Sequence, residues 1–183
     1  TPSQFPSIAY DPLGQAVVAW QDVDDVNGDA DIFVRRFEAG AWAEMAASGT
    51  GSGISTTLNN SSTGPSVEIN PVGGQPGVAW VEFSLGDFEI FFREFDPAAL
   101  PAATWVERAN SGQGQGVSGN GGVSLQPSLA FDAAGQPVIA WADNSSGNYE
   151  IYVRGFNIAA NAWVDFAGSG TGGGISQSPT QVS

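Results

Sequence analysis

Two acidic positions recur three times along the chain, each time on either side of a short segment that contains glycine. The first set is Asp22, Glu82 and Asp143, and the second set is Asp31, Glu89 and Glu150. Two carboxylates held close together can act as general acid and base in glycoside hydrolysis, or can bind Ca²⁺, which prefers several oxygen ligands. These six residues are therefore the candidate ligand-binding residues of the sequence.

The threefold recurrence argues against catalysis, because a catalytic pair normally occurs once in a chain. A simpler interpretation is that each carboxylate accepts backbone hydrogen bonds or pairs with an arginine. In each unit the second carboxylate lies four residues before an arginine, on the same face of a predicted strand. These pairs are Asp31 and Arg35, Glu89 and Arg93, and Glu150 and Arg154. We predict no catalytic residues, with a repeated ligand or metal site as the alternative.

The first unit also carries an acidic segment that resembles a calcium-binding loop. Its oxygen-bearing residues are Asp25, Asn27, Asp29 and Asp31. Alternating oxygen ligands of this kind can wrap one Ca²⁺ ion. The match is partial, because Phe33 stands where such loops carry a further carboxylate. Ca²⁺ is the one cofactor that the sequence suggests, and a solvated acidic hairpin is the alternative.

The composition excludes several other kinds of site. The 183 residues include 5 Lys+Arg, all of them Arg, against 19 Asp+Glu, for a formal net charge of −14, and they include no His or Cys. Ser-His-Asp and Cys-His triads, Schiff-base lysines and the usual zinc ligand sets therefore cannot be assembled. A charge of this sign repels phosphate backbones and anionic lipids, so we expect binding neither to nucleic acid nor to a membrane surface. Apolar runs such as Ala16–Trp20 are far shorter than the roughly 20 residues that span a bilayer, so we expect no membrane insertion.

The elements that must position the carboxylates recur with a period of roughly 60 residues. Each unit opens on a Pro-Ser pair, at Pro6, Pro65 and Pro127. The other recurring positions are Trp20, Trp80 and Trp141, Trp42, Trp105 and Trp163, and Arg35, Arg93 and Arg154. Because all six tryptophans are repeat positions, we interpret them as structural anchors.

Each unit divides into four short strands, which in the first unit are predicted at 5–10, 16–21, 31–37 and 41–46. An Asp11-Pro-Leu-Gly14 turn separates the first two strands, and Gly28-Asp29 suits a hairpin before the third. A Ser-Gly-x-Gly-x-Gly-Ile/Val-Ser segment follows the fourth strand, at 48–55, 111–118 and 169–176. We interpret it as an ordered crossover from one blade to the next, held in place by burial of the apolar side chains of Ile54, Val117 and Ile175. A loose tether is the alternative.

Repeats of four antiparallel strands without helical periodicity are typical of the blades of a β-propeller. The predicted fold is all-β, with three four-stranded blades per chain and a ring completed by a second chain or by further sequence. Blade 1 with its crossover is predicted at 1–64, blade 2 with its crossover at 65–126, and blade 3 at 127–175. Residues 176–183 repeat the opening segment and are predicted to form the first strand of a following blade.

The third unit resembles a repeat of bacterial secreted or cell-surface β-propeller proteins. The shared pattern is Pro-Ser-x-Ala-x-Asp, then Val-x-Ala-Trp-x-Asp, then Gly-Asn-x-Glu-Ile-Tyr-Val-Arg-x-Phe, and residues 127–166 follow it almost position by position. The resemblance extends over the whole chain. It implies a bacterial protein that is secreted or exposed at the cell surface, and it implies no particular activity.

Three blades are too few for a closed ring, because propellers typically close with four to eight. Open blade faces would expose apolar residues. We therefore predict a head-to-tail homodimer with six blades, in which Gln177–Ser183 completes a blade of the neighbour. The predicted function is a non-enzymatic scaffold for recognition or self-assembly. The alternatives are a lectin-like glycan binder with one shallow site per blade, and a fragment of a larger propeller that acts on carbohydrates.

Overall fold

The structure is a computed structural model of the chain, and it describes residues 2–23, 28–55 and 60–177. Twelve strands lie in this part of the chain. They are β1 (Gln4–Tyr10), β2 (Ala16–Val23), β3 (Ala30–Glu38), β4 (Ala41–Glu44), β5 (Ser62–Ile69), β6 (Pro76–Ser84), β7 (Asp87–Asp96), β8 (Thr104–Val106), β9 (Ser124–Phe131), β10 (Pro137–Asp143), β11 (Glu150–Asn157) and β12 (Ala162–Asp165). No helix within the described residues is suited to crossing a membrane.

The twelve strands form three four-stranded antiparallel sheets, and each sheet corresponds to one sequence repeat. Sheet 1 is β1–β4, sheet 2 is β5–β8 and sheet 3 is β9–β12, each with its strands side by side in chain order. The prediction of an all-β chain with three four-stranded antiparallel sheets is therefore confirmed. The strand predicted at 176–183 lies, from residue 178 onward, outside the described residues.

The turn between the first two strands of each sheet is held by an acidic or amide side chain. In sheet 1 the Asp11 carboxylate accepts hydrogen bonds from the backbone N–H groups of Leu13 at 2.9 Å and Gln15 at 2.8 Å. Such a side chain stabilises a tight turn by bonding its own backbone two residues later. Asn70 and Asp132 make the equivalent contacts in sheets 2 and 3. This turn chemistry is readable from the sequence.

The sheets pack face to face, so the core lies between them. One apolar cluster joins sheets 1 and 2 and contains Val17, Ile32, Ile54 and Trp80. A second cluster joins sheets 2 and 3 and contains Ile90, Val117, Leu129 and Trp141. Sheet 2 is thus covered on both faces, and all of β6 except Phe83 is buried. Strands covered on both faces need near-continuous apolar sequence, and β6 has it.

The Gly/Ser segment after each fourth strand returns to the third strand of the same sheet. In sheet 1 the Val34 N–H donates to the Ser48 carbonyl at 2.9 Å, and the Ile54 N–H donates to the Ile32 carbonyl at 2.7 Å. Sheets 2 and 3 repeat both contacts. The segment is therefore an ordered crossover, as one of the two interpretations predicts. The predicted burial is wrong for Ile175, which is exposed because no further sheet lies against it in the described residues.

Candidate functional site

The six recurring carboxylates occupy directly paired positions on the second and third strands. Asp22 pairs with Asp31, Glu82 with Glu89, and Asp143 with Glu150. Residues directly opposite in an antiparallel pair have Cβ atoms about 4.5–5.5 Å apart. Five of these side chains are buried and Asp22 is half-buried. Because buried carboxylates need hydrogen-bond donors, the donors decide what these pairs can do.

At the start of each third strand, the carboxylate accepts a hydrogen bond from the last serine of the crossover. In sheet 2 the Ser118 Oγ lies 2.5 Å from Glu89 Oε2, and the same Oγ accepts from the Ile90 N–H at 2.8 Å. The equivalent serine–carboxylate pairs are Ser55–Asp31 and Ser176–Glu150. This contact holds the crossover against the edge of the sheet, so its recurrence has a structural cause.

The carboxylate on each second strand also accepts from a serine, which lies before or at the start of the first strand. Ser62 Oγ donates to Glu82 Oε2 at 2.5 Å, and Trp80 Nε1 donates to the same oxygen at 2.9 Å. The equivalent pairs are Ser3–Asp22 and Ser124–Asp143. The carboxylates are thus hydrogen-bond acceptors, but the donors that they share are serine hydroxyls, where the sequence suggested backbone N–H groups or arginine.

The arginines do not form the pairs that the four-residue spacing predicts. Four residues along a strand span about 13 Å, too far for direct contact between a carboxylate and a guanidinium that stand on one face. Arg154 instead pairs with Asp165, with 2.9 Å between Nε and Oδ1, and Arg35 lies 3.9 Å from Glu44. Arg93 donates from Nη1 to the Ile54 carbonyl at 2.6 Å. The arginines therefore join strands and sheets.

Two of these carboxyls, those of Glu89 and Asp143, have pKa values shifted in opposite directions. Burial raises the pKa of Glu89 to about 7; the hydrogen bond from Ser118 opposes this rise, and the charges of Asp87 and Asp143 add to it. Burial also opposes ionisation of Asp143, but hydrogen bonds led by that from Ser124 outweigh it and lower the pKa of this carboxyl. An acid and a base with separated pKa values can work together. Both side chains are buried, however, and thus closed to a ligand in this structure.

The raised pKa of Glu89 predicts a pH-dependent stability. Because the folded chain binds this proton more tightly than the unfolded chain, the stabilisation is present below pH 4.5 and is lost as the pH rises to about 7. We expect the free energy of unfolding to fall by about 2–3 kcal/mol across that range. Glu89→Gln should abolish the fall, and Glu68→Gln, at an exposed position, should retain it. Urea unfolding at several pH values measures the free energy of unfolding of both variants. If it falls with pH in Glu89→Gln as steeply as in the unchanged chain, Glu89 is not the group responsible.

The predicted calcium segment lies partly outside the described residues. Asp25 and Asn27 are not described. The carboxylate of Asp31 is buried and accepts a hydrogen bond from Ser55 at 2.7 Å. Across residues 2–23, 28–55 and 60–177, no group of three or more acidic side chains could hold a metal ion. Calcium binding by Asp25, Asn27, Asp29 and Asp31 stays a prediction.

A groove of about 310 Å³ opens on sheet 2, at residues that the sequence motifs did not single out. We call it the Gln75 groove, and its lining includes Gln75, Glu94, Asp96, Pro97, Val106 and Arg108. Arg108 donates from both Nε and Nη2 to Glu94 Oε2, at 3.0 and 2.5 Å. Asn70 Nδ2 donates to the other oxygen of Glu94 at 2.7 Å. The polar wall of the groove is thus held in place by its own contacts.

One polar atom of this groove lacks a partner. The Oε1 of Gln75 is buried and accepts no hydrogen bond within the described part of the chain. In sheet 3 the equivalent Gln136 Oε1 accepts from the Ile158 N–H at 3.2 Å. Pro97 occupies the position of Ile158 in sheet 2, and proline has no N–H. A buried acceptor without a donor costs about 1–3 kcal/mol.

A smaller depression of about 130 Å³ occupies the equivalent place on sheet 3. The lining positions common to the two are Gln75 and Gln136, Glu94 and Gly155, Phe95 and Phe156, Asp96 and Asn157, Val106 and Val164, and Arg108 and Phe166. The recurrence of glutamine at 15, 75 and 136 was the sequence signal for this place. Arg108, which lies outside the repeated arginine positions, was a second signal.

No protein-family model matches the chain, and no curated protein sequence is similar to it. Solved structures share its fold. An α-L-arabinanase from Penicillium chrysogenum, complexed with arabinobiose, has a TM-score of 0.55 at 14% identity, over 84% of this chain and 45% of that one. A thermostable family-43 glycoside hydrolase has a TM-score of 0.52 at 12% identity, over 92% of this chain and 58% of that one. The chain thus spans about half the length of these two hydrolases.

A fucose lectin from Kordia zhangzhouensis, in complex with methyl-fucoside, has a TM-score of 0.49 at 16% identity, over 88% of this chain and 97% of that one. The two hydrolases are β-propeller enzymes. At these identities the likeness to the two hydrolases concerns the fold alone, and it agrees with the predicted propeller.

The prediction that the chain is not an enzyme is wrong. Solved structures that share this fold include several glycoside hydrolases, so the threefold repeat of this fold gives no ground for excluding an enzyme. The prediction failed because it relied on the threefold recurrence of the carboxylates, which concerns only repeated positions. Acidic side chains without an acidic counterpart at the equivalent position in sheet 3, such as Glu94 and Asp96, lay outside that reasoning.

Proposed function

We propose that this chain binds a neutral carbohydrate in the Gln75 groove of a β-propeller. The observation that carries the proposal is the buried, unpartnered Oε1 of Gln75. A carbohydrate presents many hydroxyl donors, and one of them would satisfy this oxygen once the half-buried Gln75 side chain turns it into the groove. Binding sites for small molecules commonly combine an apolar lining with a few fixed polar groups.

The rest of the lining suits the same ligand class. Asp96 offers a carboxylate to sugar hydroxyls, and Arg108 offers N–H donors. Pro97 and Val106 offer apolar surface to the C–H faces of a sugar ring. Because the Glu94–Arg108 ion pair is already formed, little side-chain ordering remains to be done on binding.

The electrostatics favour a neutral sugar over an anionic one. The chain carries a net charge of −14, and Glu94, Asp96 and Glu107 all line the groove. A potential of this sign repels sugar acids and sulfated or phosphorylated sugars. Arabinobiose, with which the α-L-arabinanase was solved, is a neutral disaccharide and a suitable first probe. The secreted or surface location implied by the repeat resemblance, which we retain as a proposal, would expose the groove to such glycans.

Calorimetric titration with arabinobiose and a panel of other neutral disaccharides tests the proposal. We expect at least one disaccharide to bind with one site per chain. Gln75→Ala should weaken that binding at least about fivefold, the equivalent of roughly 1 kcal/mol. Gln15→Ala, at the repeat-equivalent position outside the groove, should leave it unchanged. Absence of heat with every disaccharide, or equal losses in the two variants, would contradict the proposal.

A further inference from the structure

Adjacent sheets meet through one set of contacts, and this set occurs twice. A tryptophan on the fourth strand donates from Nε1 to a carbonyl of the preceding sheet, as Trp105 does to Met45 at 2.8 Å. An arginine on the third strand donates to the preceding crossover, as Arg93 does to Ile54 at 2.6 Å. A serine on the first strand of the preceding sheet accepts from a backbone N–H of the following one. The second occurrences are Trp163 to Arg108 at 2.9 Å, Arg154 to Val117 at 2.7 Å, and Leu129 to Ser66 at 3.0 Å.

The open face of sheet 1 carries the donor half of this set. Trp42 stands at the position of Trp105 and is 50% exposed, whereas Trp105 is 9% exposed. Arg35 stands at the position of Arg93. Its side chain is 41% exposed, whereas that of Arg154, at the same repeat position in sheet 3, is 20% exposed. The groups that would anchor these side chains are those of a preceding sheet.

The open face of sheet 3 carries the acceptor half. Ile175 is 59% exposed, whereas Ile54 and Val117 at the same repeat position are each 1% exposed. The Phe166 carbonyl stands at the position of the Met45 carbonyl, and Ser128 stands at the position of Ser7. Each acceptor on this face therefore has a matching donor on the open face of sheet 1.

We propose that the open face of sheet 3 binds the open face of sheet 1 of a second copy of this chain. Trp42 Nε1 then donates to the Phe166 carbonyl, Arg35 donates to the Ile175 carbonyl, and the Ile8 N–H donates to Ser128 Oγ. Ile175 becomes buried, as Ile54 and Val117 are within one chain. Two copies form this contact twice and close a ring of six sheets, a number within the range of closed propellers.

A second copy fits these faces because their donors and acceptors stand at the same repeat positions as those that join sheet 1 to sheet 2 and sheet 2 to sheet 3. The carbonyls and the serine hydroxyl of sheet 3 stand in the same repeat positions as their counterparts in sheets 1 and 2. A partner of unrelated sequence would need to reproduce all three hydrogen bonds and the Ile175 contact at once. A copy of sheet 1 supplies them without any new chemistry.

Native mass spectrometry and sedimentation of the 183-residue chain test this proposal. We expect a mass of 37.6 kDa, twice the 18.8 kDa of one chain. Ile175→Asp should convert the dimer to a monomer with an unchanged circular dichroism spectrum, because the side chain is exposed within one chain. Ile158→Asp is the matched control and should stay dimeric. Ile158 is 55% exposed on the turn that follows β11, at the opposite end of that strand from Ile151, whose carbonyl accepts the Ile175 N–H.

Two results would overturn the proposal. One is a mass of 18.8 kDa, or any mass other than the dimer's, at the highest soluble concentration. The other is a dimer that survives Ile175→Asp as well as Ile158→Asp. Neither result depends on carbohydrate binding, so the assembly and the function are tested separately.

Discussion

Gly116→Ala is expected to lower the free energy of unfolding by at least about 3 kcal/mol. Gly116 has a φ of 59°, and a Cβ built on it would lie 2.2 Å from the Ile90 carbonyl oxygen and 2.5 Å from Phe91 Cδ1. That carbonyl accepts the Val117 N–H at 2.6 Å, so it cannot move away without breaking the crossover contact. The cost therefore combines an unfavourable backbone conformation with overpacking, which typically costs 1–3 kcal/mol by itself.

Gly114→Ala is the matched control. Gly114 has a φ of 62° in the same crossover, but a Cβ there would meet nothing within 4 Å. Only the backbone conformation opposes this change, at about 1–2 kcal/mol. The same contrast recurs between Gly53 and Gly51, and between Gly174 and Gly172. Urea unfolding compares the variants, and equal losses at 116 and 114 would show that the crossover does not lie against β7.

Trp80→Ala is expected to cost about 3–5 kcal/mol, the range for removing a buried large aromatic side chain. Trp80 is fully buried between sheets 1 and 2, and its ring packs edge to face against Phe91 with 6.1 Å between centroids. Its Nε1 also donates to the buried Glu82 carboxylate. Truncation thus creates a cavity and removes one of the donors to a buried carboxylate.

Trp20→Ala tests whether this cost comes from the neighbouring sheet. Trp20 occupies the same repeat position in sheet 1, where its ring stacks on Phe33 but is only half-buried. Measured in the Ile175→Asp background, in which the open face of sheet 1 should stay uncovered, Trp20→Ala should cost clearly less than Trp80→Ala. A loss as large as that of Trp80→Ala would mean that the two positions have the same surroundings.

The strands and turns were accessible from the sequence because they depend on neighbouring residues. The third strand predicted at 31–37 is β3, Ala30–Glu38, and the Asp11 turn forms through its own backbone. The fourth strand was predicted at 41–46 but ends at Glu44. Positive φ values of 57° at Ala46 and 60° at Ala47 turn the chain there, and two alanines carry no sequence signal for that conformation.

The candidate site was harder to predict from the sequence, because it depends on contacts between residues that are distant in the chain. The four-residue spacing of Asp31 and Arg35 suggested an ion pair. In the structure the Asp31 carboxylate instead accepts a hydrogen bond from Ser55, the last serine of the crossover, 24 residues later in the chain. The unpartnered Gln75 depends on Pro97, 22 residues later in the chain. Only the comparison with Gln136 and Ile158 in sheet 3 reveals that a donor is missing.

The most direct test of carbohydrate binding is to titrate the ¹⁵N-labelled chain with the disaccharide that binds best and to map the NMR signals that shift. We expect the shifts to centre on the side-chain amide of Gln75 and the backbone amides of Asp96 and Val106, and to saturate at one disaccharide per chain. Shifts centred on the paired carboxylates of β6 and β7, or on the open face of sheet 1, would contradict it.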